Sequence, residues 1–492
     1  MPSDHSSPKA AYAPGRAVSP AGEEPCTFSY LCLLLAFILS AAAIRSSFWV
    51  DETATYWVVK NGIREVVARS WEWSGQSALY YLTAWIGRHF APYLGLELAL
   101  RLPSLAAMAI AAFLLYRLGR YLMGAKAGMI AALAFLAIPQ VSFAAIDARP
   151  YALGLALVIA SMLCFLKWLD TGRPIFAALY VVSTALVVYD HYLFALSLTA
   201  QLAYGWRRGR WLAALWAAIG ALCLPLAGQF LYFYHTRQAH NVGALPDANA
   251  FFMAIAPPVL VGTVLLSIMA SKGAAAEAHH GIPWRLLFVW LMAPPAILSL
   301  VSWFTDTRLF LDRYYLSAAP AAALLAAYAV ARCSAFRLAS AVLAISLAIG
   351  TWKAGPLHGG EDWRGAMQAV NAEARPEDAV LIDCGFVEGT PAEIQGARLR
   401  DVLYAPQSMY PIRNFIRLPF HFDERSVPED LARYGRVFLI TIQTTPGGQD
   451  TGMQYECWLK RKLPGYASQG MGNFGGVSAI RFDRDPAPGS AR

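Results

Sequence analysis

The chain has 492 residues, of which 57% are hydrophobic and 15% charged, and its formal net charge is +8. So apolar a composition excludes a soluble globular protein, and the length exceeds what one hydrophobic core organises. The positive balance does not call for nucleic acid, because basic residues in the cytoplasmic loops of a polytopic membrane protein account for it.

Residues 1–27 are rich in Pro, Ser and Ala, carry Lys9 and Arg16, and read as a disordered cytoplasmic tail. The first apolar run is 28–44. Ala41-Ala42-Ala43 resembles a signal-peptide cleavage site, but the leader is long, so a retained first span is expected. Where that run stops, Phe48-Trp49-Val50-Asp51-Glu52-Thr53-Ala54-Thr55-Tyr56 sets two adjacent carboxylates among aromatic residues at headgroup level. Acids at such a boundary usually bind or react with something. The competing reading is that Asp51 caps a short surface helix.

The stretch 47–95 mixes Arg64, Glu65, Arg69, Glu72, Arg88 and His89 with Trp71, Trp73, Tyr80, Tyr81 and Trp85. That pattern suits amphipathic helices lying on the membrane surface in a first outer loop. Apolar runs follow at 96–116, 127–146, 150–167, 175–190, 192–206, 211–232, 251–270, 285–303, 314–331 and 338–354. With the first run they make about eleven candidate spans. The pair around 175–206 is the weakest, since only Asp190-His191 separates its members. From a cytoplasmic N-terminus, Arg117, Arg120, Lys126, Lys167, Arg173, Arg207, Arg208, Arg210, Lys272, Arg332 and Arg337 fall inside, and the loop acids fall outside.

Residues 355–492 change character. A helix opens at Glu361-Asp362-Trp363-Arg364 and runs to about 374. Strands are expected at 379–383, 436–441 and 476–482, with a helix at 452–462. The organisation is a tail (1–27), a transmembrane domain (28–354) and a small extracytoplasmic α/β domain (355–492). Of seven cysteines, five lie in or beside apolar runs; Cys384 and Cys457 are in the polar C-terminal part and would pair only in an oxidising compartment.

Along this topology the polar outliers converge on the outer face: Asp51-Glu52, Asp147-Ala148-Arg149-Pro150-Tyr151, Asp190-His191-Tyr192, Tyr234-His235-Thr236-Arg237, Asp306-Thr307-Arg308 and Asp312-Arg313-Tyr314-Tyr315. Asp247 and Asp306 read as ordinary loop residues, and His191 as a histidine hydrogen-bonded at a tight turn. The Asp147–Tyr151 turn is too short to reach far into water, so both its charges must pair or bind at the membrane boundary. Ionisable residues near the middle of spans and repeated halves, which a secondary transporter would show, are scarce.

These residues resemble, in order and spacing, the GT-C type polyprenyl-phosphate-dependent glycosyltransferases. The family includes protein-mannosyltransferase-like (family 39), aminoarabinose and lipopolysaccharide-core galacturonosyltransferases. The resemblance covers about 28–375. It rests on Phe48-Trp49-Val50-Asp51-Glu52, Gln76-Ser77-Ala78-Leu79-Tyr80-Tyr81, Arg101-Leu102-Pro103-Ser104, Asp147-Ala148-Arg149-Pro150-Tyr151-Ala152-Leu153, His191-Tyr192, Asp312-Arg313-Tyr314-Tyr315-Leu316 and Glu361-Asp362-Trp363-Arg364. The chain departs from the usual pattern at Ser77-Ala78 (often Pro-Pro), Asp147 (often Glu) and Asp190-His191 (often Thr-His), which leaves the sugar open.

The resemblance implies transfer of a sugar from a polyprenyl-phosphate donor to an acceptor hydroxyl on the periplasmic face of the bacterial inner membrane, with inversion. Asp51 is then the general base and Glu52 its partner, orienting the acceptor or tuning Asp51. Arg149 and Arg313 are the donor-phosphate ligands. Asp147, Tyr151, His191 and Tyr80 are substrate-binding residues. No cofactor and no metal are expected, although Asp51, Asp147 and His191 are of metal-ligating types. The partners are the lipid-linked donor, a lipid-, glycan- or protein-linked acceptor and membrane lipid. The alternatives are a polymerase or ligase using a diphosphate-linked oligosaccharide, and a secondary transporter.

Overall fold

A computed structural model describes residues 27–484 apart from 73–77, 236–244, 272–281, 334, 384–404, 414, 418–426, 428 and 443–450. The first ten helices are α1 (Thr27–Ser40), α2 (Val50–Val59), α3 (Ile63–Glu72), α4 (Ala78–Arg88), α5 (Ala91–Leu94), α6 (Leu96–Met123), α7 (Ala125–Ala137), α8 (Pro139–Ile146), α9 (Tyr151–Thr171) and α10 (Pro174–Asp190). Six helices among the described residues are long and apolar enough to cross a membrane, or up to eight if each of two bent pairs is one span. The protein is therefore a polytopic helical membrane protein with a small C-terminal α/β domain.

The expected run 127–146 is not one straight span. It breaks at Ile138-Pro139, and α7 and α8 are bent by 76°. Proline at the first position of α8 supplies no amide to continue the ladder. The run 251–270 breaks in the same way before Pro257-Pro258, by 60°. The weak run 192–206 is a 3-10 turn (Tyr192–Leu198) followed by the short helix Thr199–Gly205. Two further apolar helices, α1 and α10, are shorter than the spans.

The first loop is only partly superficial. On α3, Ile63, Val67 and Trp71 form an exposed apolar stripe while Val66 and Ser70 are buried, as an interfacial helix requires. Helix α2 differs: every residue except Tyr56 is buried. Its Val- and Thr-rich sequence has modest intrinsic helix propensity, so packing must hold it. The alternative of a surface helix capped by Asp51 is corrected: Trp49 occupies the cap position, and Asp51 sits buried in the first turn.

The C-terminal domain is a five-stranded mixed sheet in the order β2-β1-β3-β5-β4, with β1 Ala379–Asp383, β2 Phe415–Arg417, β3 Arg436–Ile442, β4 Tyr466–Gly470 and β5 Val477–Arg484. Strand β1 pairs in parallel with β2 and β3, and β5 pairs antiparallel with β3 and β4. Alternation along the central strands divides two cores. Ala379, Leu381, Val437 and Leu439 pack under the helix Thr451–Lys462. Val380, Ile382, Phe438 and Ile440 share a core with Trp363 and Met367 and with Phe48, Val50, Ala54, Trp57, Tyr80 and Tyr81 of the first loop. The domain is thus seated on α2 and α4. Cys384 lies outside the described residues, as do Gln76, Ser77, Thr236 and Arg237.

Candidate active site at the start of helix α2

Arg101, on α6, is fully buried yet surrounded by acceptors. Its Nε donates to Glu52 Oε1 at 2.7 Å, and Nη2 pairs with Glu52 Oε2. Its other amino protons go to the carbonyls of Ile44 at 3.1 Å, Ser46 at 2.9 Å and Ser47 at 3.0 Å. The guanidinium lies over the Phe48 ring, 4.9 Å from its centroid. A buried cation is tolerable only when its charge and donors are all answered, as here.

Glu52 in turn holds the next loop. Its Oε1 accepts the Ala148 amide at 2.8 Å. Asp147 beside it takes the Trp49 indole N–H on Oδ1 at 3.0 Å, and His358 Nε2 lies 3.5 Å from the same oxygen. The His358 ring stacks on Phe143, centroids 4.1 Å apart. Asp147 Oδ2 has no partner among the described residues. Burial pushes the Asp147 carboxyl above the usual range, and the hydrogen bond from His358 opposes it.

Asp51 points the other way. Its Oδ2 is 3.2 Å from Arg313 Nη1; the Asp51 side chain is 12% exposed and that of Arg313 30%. Arg149 Nη1 lies 3.5 Å from the Asp51 carbonyl oxygen. Behind Arg149, the Tyr80 hydroxyl meets Ser104 Oγ at 3.0 Å, and Ser104 reaches the Arg149 carbonyl. An aromatic wall continues from Tyr151 to His191 to Tyr314, with successive centroids 5.7 and 5.8 Å apart. The Tyr151 hydroxyl and His191 Nδ1 are buried without partners among the described residues.

Loops far apart in sequence therefore converge: Asp51, Asp147, Arg149, Tyr151, His191 and Arg313 form one cluster. Some expectations change. Glu52 is fully buried with both oxygens committed to Arg101 and to backbone amides, so it has no face left for an acceptor. His191 sits at a tight turn, with its Nδ1 unpartnered among the described residues. The grouping Asp51, Asp147 and His191 is replaced as a set of possible metal ligands. Among the described residues Glu52, Asp147 and His358 are the ones that bring ligand atoms within 4.8 Å of one another. Glu52 would have to leave Arg101 to serve, and a cation there would meet the guanidinium. Asp247 caps the helix Ala248–Ile255, accepting from Ala250 N at 2.7 Å.

Three further residues join the cluster: Arg101, Glu361 and His358, which the sequence pattern does not mark as site residues. The one available signal was an arginine set inside an apolar run, which demands a buried partner.

No family model matches the sequence, and no curated protein matches it. Solved structures similar in fold include two of one protein. ArnT from Cupriavidus metallidurans in the apo state superposes with a TM-score of 0.55 at 13% identity, covering 92% of this chain and 97% of that one. The same protein bound to undecaprenyl phosphate gives 0.53 at 12% identity over the same shares. At these identities the likeness shows a shared fold.

Proposed function

We propose that this chain, which shares the fold of an ArnT crystallised with undecaprenyl phosphate, is an integral membrane glycosyltransferase. It moves a sugar from a polyprenyl-phosphate donor to an acceptor hydroxyl at the extracytoplasmic face of a bacterial inner membrane. The observation that carries this reading is the Asp51–Arg313 pair: a base and a phosphate ligand in contact, at the accessible edge of an otherwise buried charged cluster.

The donor already carries a good leaving group. Asp51 takes the proton from the acceptor hydroxyl, and the acceptor oxygen bonds to the anomeric carbon. The bond from that carbon to the phosphate oxygen breaks, and polyprenyl phosphate leaves with the electron pair. One base and direct attack give inversion. Arg313 exchanges Asp51 for the donor phosphate, which leaves the carboxylate free to act as the base. Arg149, fixed beside the Asp51 carbonyl, adds a second guanidinium. Tyr151, His191 and Asp147 present buried polar atoms without partners among the described residues, which suits sugar hydroxyls. Glu52 and Tyr80 position Asp51 and Arg149 and do not touch substrate.

The test is transfer from a panel of labelled polyprenyl-phosphate sugars in membranes carrying wild type or Asp51→Asn. Transfer by wild type with a loss of about 10²–10⁴-fold in the variant supports the reading. Equal transfer by both moves the base elsewhere, with Asp147 next. No consumption of any donor by wild type overturns the reaction class.

A further inference from the structure

The segment that opens α2 is held by residues from a distant part of the sequence. Three residues of the C-terminal domain bind its backbone or its neighbours directly. Tyr410 accepts the Phe48 amide on its hydroxyl at 3.0 Å. Glu361 Oε2 accepts the Val50 amide at 2.9 Å. Between them, Trp49 packs on Gly359, where a Cβ would fall 2.4 Å from its ring and φ is +69°. Val50 is the first residue of α2, and its amide is one of the four that a helix cannot satisfy from within. The carboxylate that satisfies it therefore comes from a distant part of the sequence, immediately beside the proposed base.

Glu361 is itself held on two sides. Its Oε2 also accepts the Trp363 indole N–H at 2.6 Å, and Trp363 is fully buried in the core shared with α2. Its backbone bridges to Gly475 beside β5. The residue is 7% exposed and cannot reach an acceptor substrate.

We propose that Glu361 is a positioning residue for Asp51: through the Val50 amide it fixes the first turn of α2, so that the C-terminal domain forms part of the active site. This rests on Asp51 being the base. Both hydrogen bonds fall on one oxygen, so the amide carbonyl of glutamine can accept both, whereas an isosteric methionine accepts neither.

The experiment compares wild type, Glu361→Gln and Glu361→Met, purified in the same detergent or nanodisc. Steady-state transfer and hydrogen exchange at the 48–53 segment are measured on each. The expected result for Glu361→Met is a fall in kcat of roughly 10–100-fold at a donor KM within about threefold of wild type, since misplacement of a reacting group acts on the chemical step. Exchange at Val50 accelerates in the same protein. Glu361→Gln restores both, a rescue that would not follow if charge or bulk alone mattered. The proposal is overturned if Glu361→Met keeps its kcat, if its loss is all in KM, or if Glu361→Gln fails like Glu361→Met. A wild type that transfers nothing refutes the glycosyltransferase reading instead. Exchange then still decides the anchoring: faster exchange in Glu361→Met supports it, and equal exchange overturns it. Should Glu361→Met fail to fold, Glu361→Gln carries the decision on the same readouts: kcat and exchange within about twofold of wild type support the anchor, and a loss of either overturns it.

Discussion

Replacing Arg101 with methionine keeps an unbranched stem, shortens the side chain and removes all its donors. The structure says what is left behind: a fully buried Glu52 carboxylate that retains the Ala148 amide at 2.8 Å and loses the charge of Arg101. Carbonyls of Ile44, Ser46 and Ser47 lose their donors as well. Removing one member of a buried ion pair costs about 3–5 kcal/mol, which is roughly two to three and a half decades in the folding equilibrium. Most of that cost is the stranded charge. Adding Glu52→Gln to Arg101→Met should therefore recover stability, with a coupling on the order of 0.5–3 kcal/mol. The assay is denaturant unfolding of detergent-solubilised protein for wild type, both single variants and the double variant. The reasoning fails if Arg101→Met unfolds at the wild-type midpoint, or if the double variant is weaker than Arg101→Met alone.

Arg313→Met should raise the donor KM by at least about tenfold, because a phosphate loses a charged ligand, while Asp51→Asn should leave KM within about threefold; steady-state kinetics with varied donor checks both. Burial pushes the Glu361 carboxyl up to about 7, aided by the neighbouring charges of Asp51 and Glu52 and opposed by the bonds from Trp363 and Val50. The folded state then binds more protons than the unfolded chain between about pH 4.5 and 7, so stability falls as pH rises through that window, and Glu361→Gln should flatten the melting temperature across it. Gly359→Ala should cost about 1–3 kcal/mol or more, since it meets both a left-handed backbone and the Trp49 ring, and should show as poor expression and a lowered melting temperature. Chelator treatment should leave transfer unchanged, because Glu52 is committed to Arg101; a loss of activity restored by a divalent ion would favour the diphosphate-donor alternative.

The long apolar runs, the acidic pair after the first of them and the α/β character of the C-terminal part were legible because period and composition report burial directly. The convergence of Asp147, Arg149, His191 and Arg313 followed from topology, since alternate loops of a helical bundle share one side. What escaped was tertiary. Nothing local distinguishes Asp51 from Glu52, yet one faces Arg313 at an accessible edge and the other Arg101 in the interior. Strands β2 and β4 carry no apolar alternation: Phe415–Arg417 is three residues long, and Ala467–Gly470 is exposed at a sheet edge. The breaks before Pro139 and Pro257 were visible as prolines, but whether a proline kinks a span or ends it depends on its neighbours.

The shared core beneath α2 has a consequence for the order in which the chain is made. Phe48 and Val50 are synthesised long before Val477 and Ala479, which pack in the same cluster. Until Val477 and Ala479 of β5 are in place, the core beneath the segment bearing Asp51 is incomplete. Pairing over such a separation is slow, because the chain must close a long loop before the contact repays the entropy. A ribosome that stops before β5 thus leaves a membrane-embedded bundle whose core beneath α2 is not yet filled.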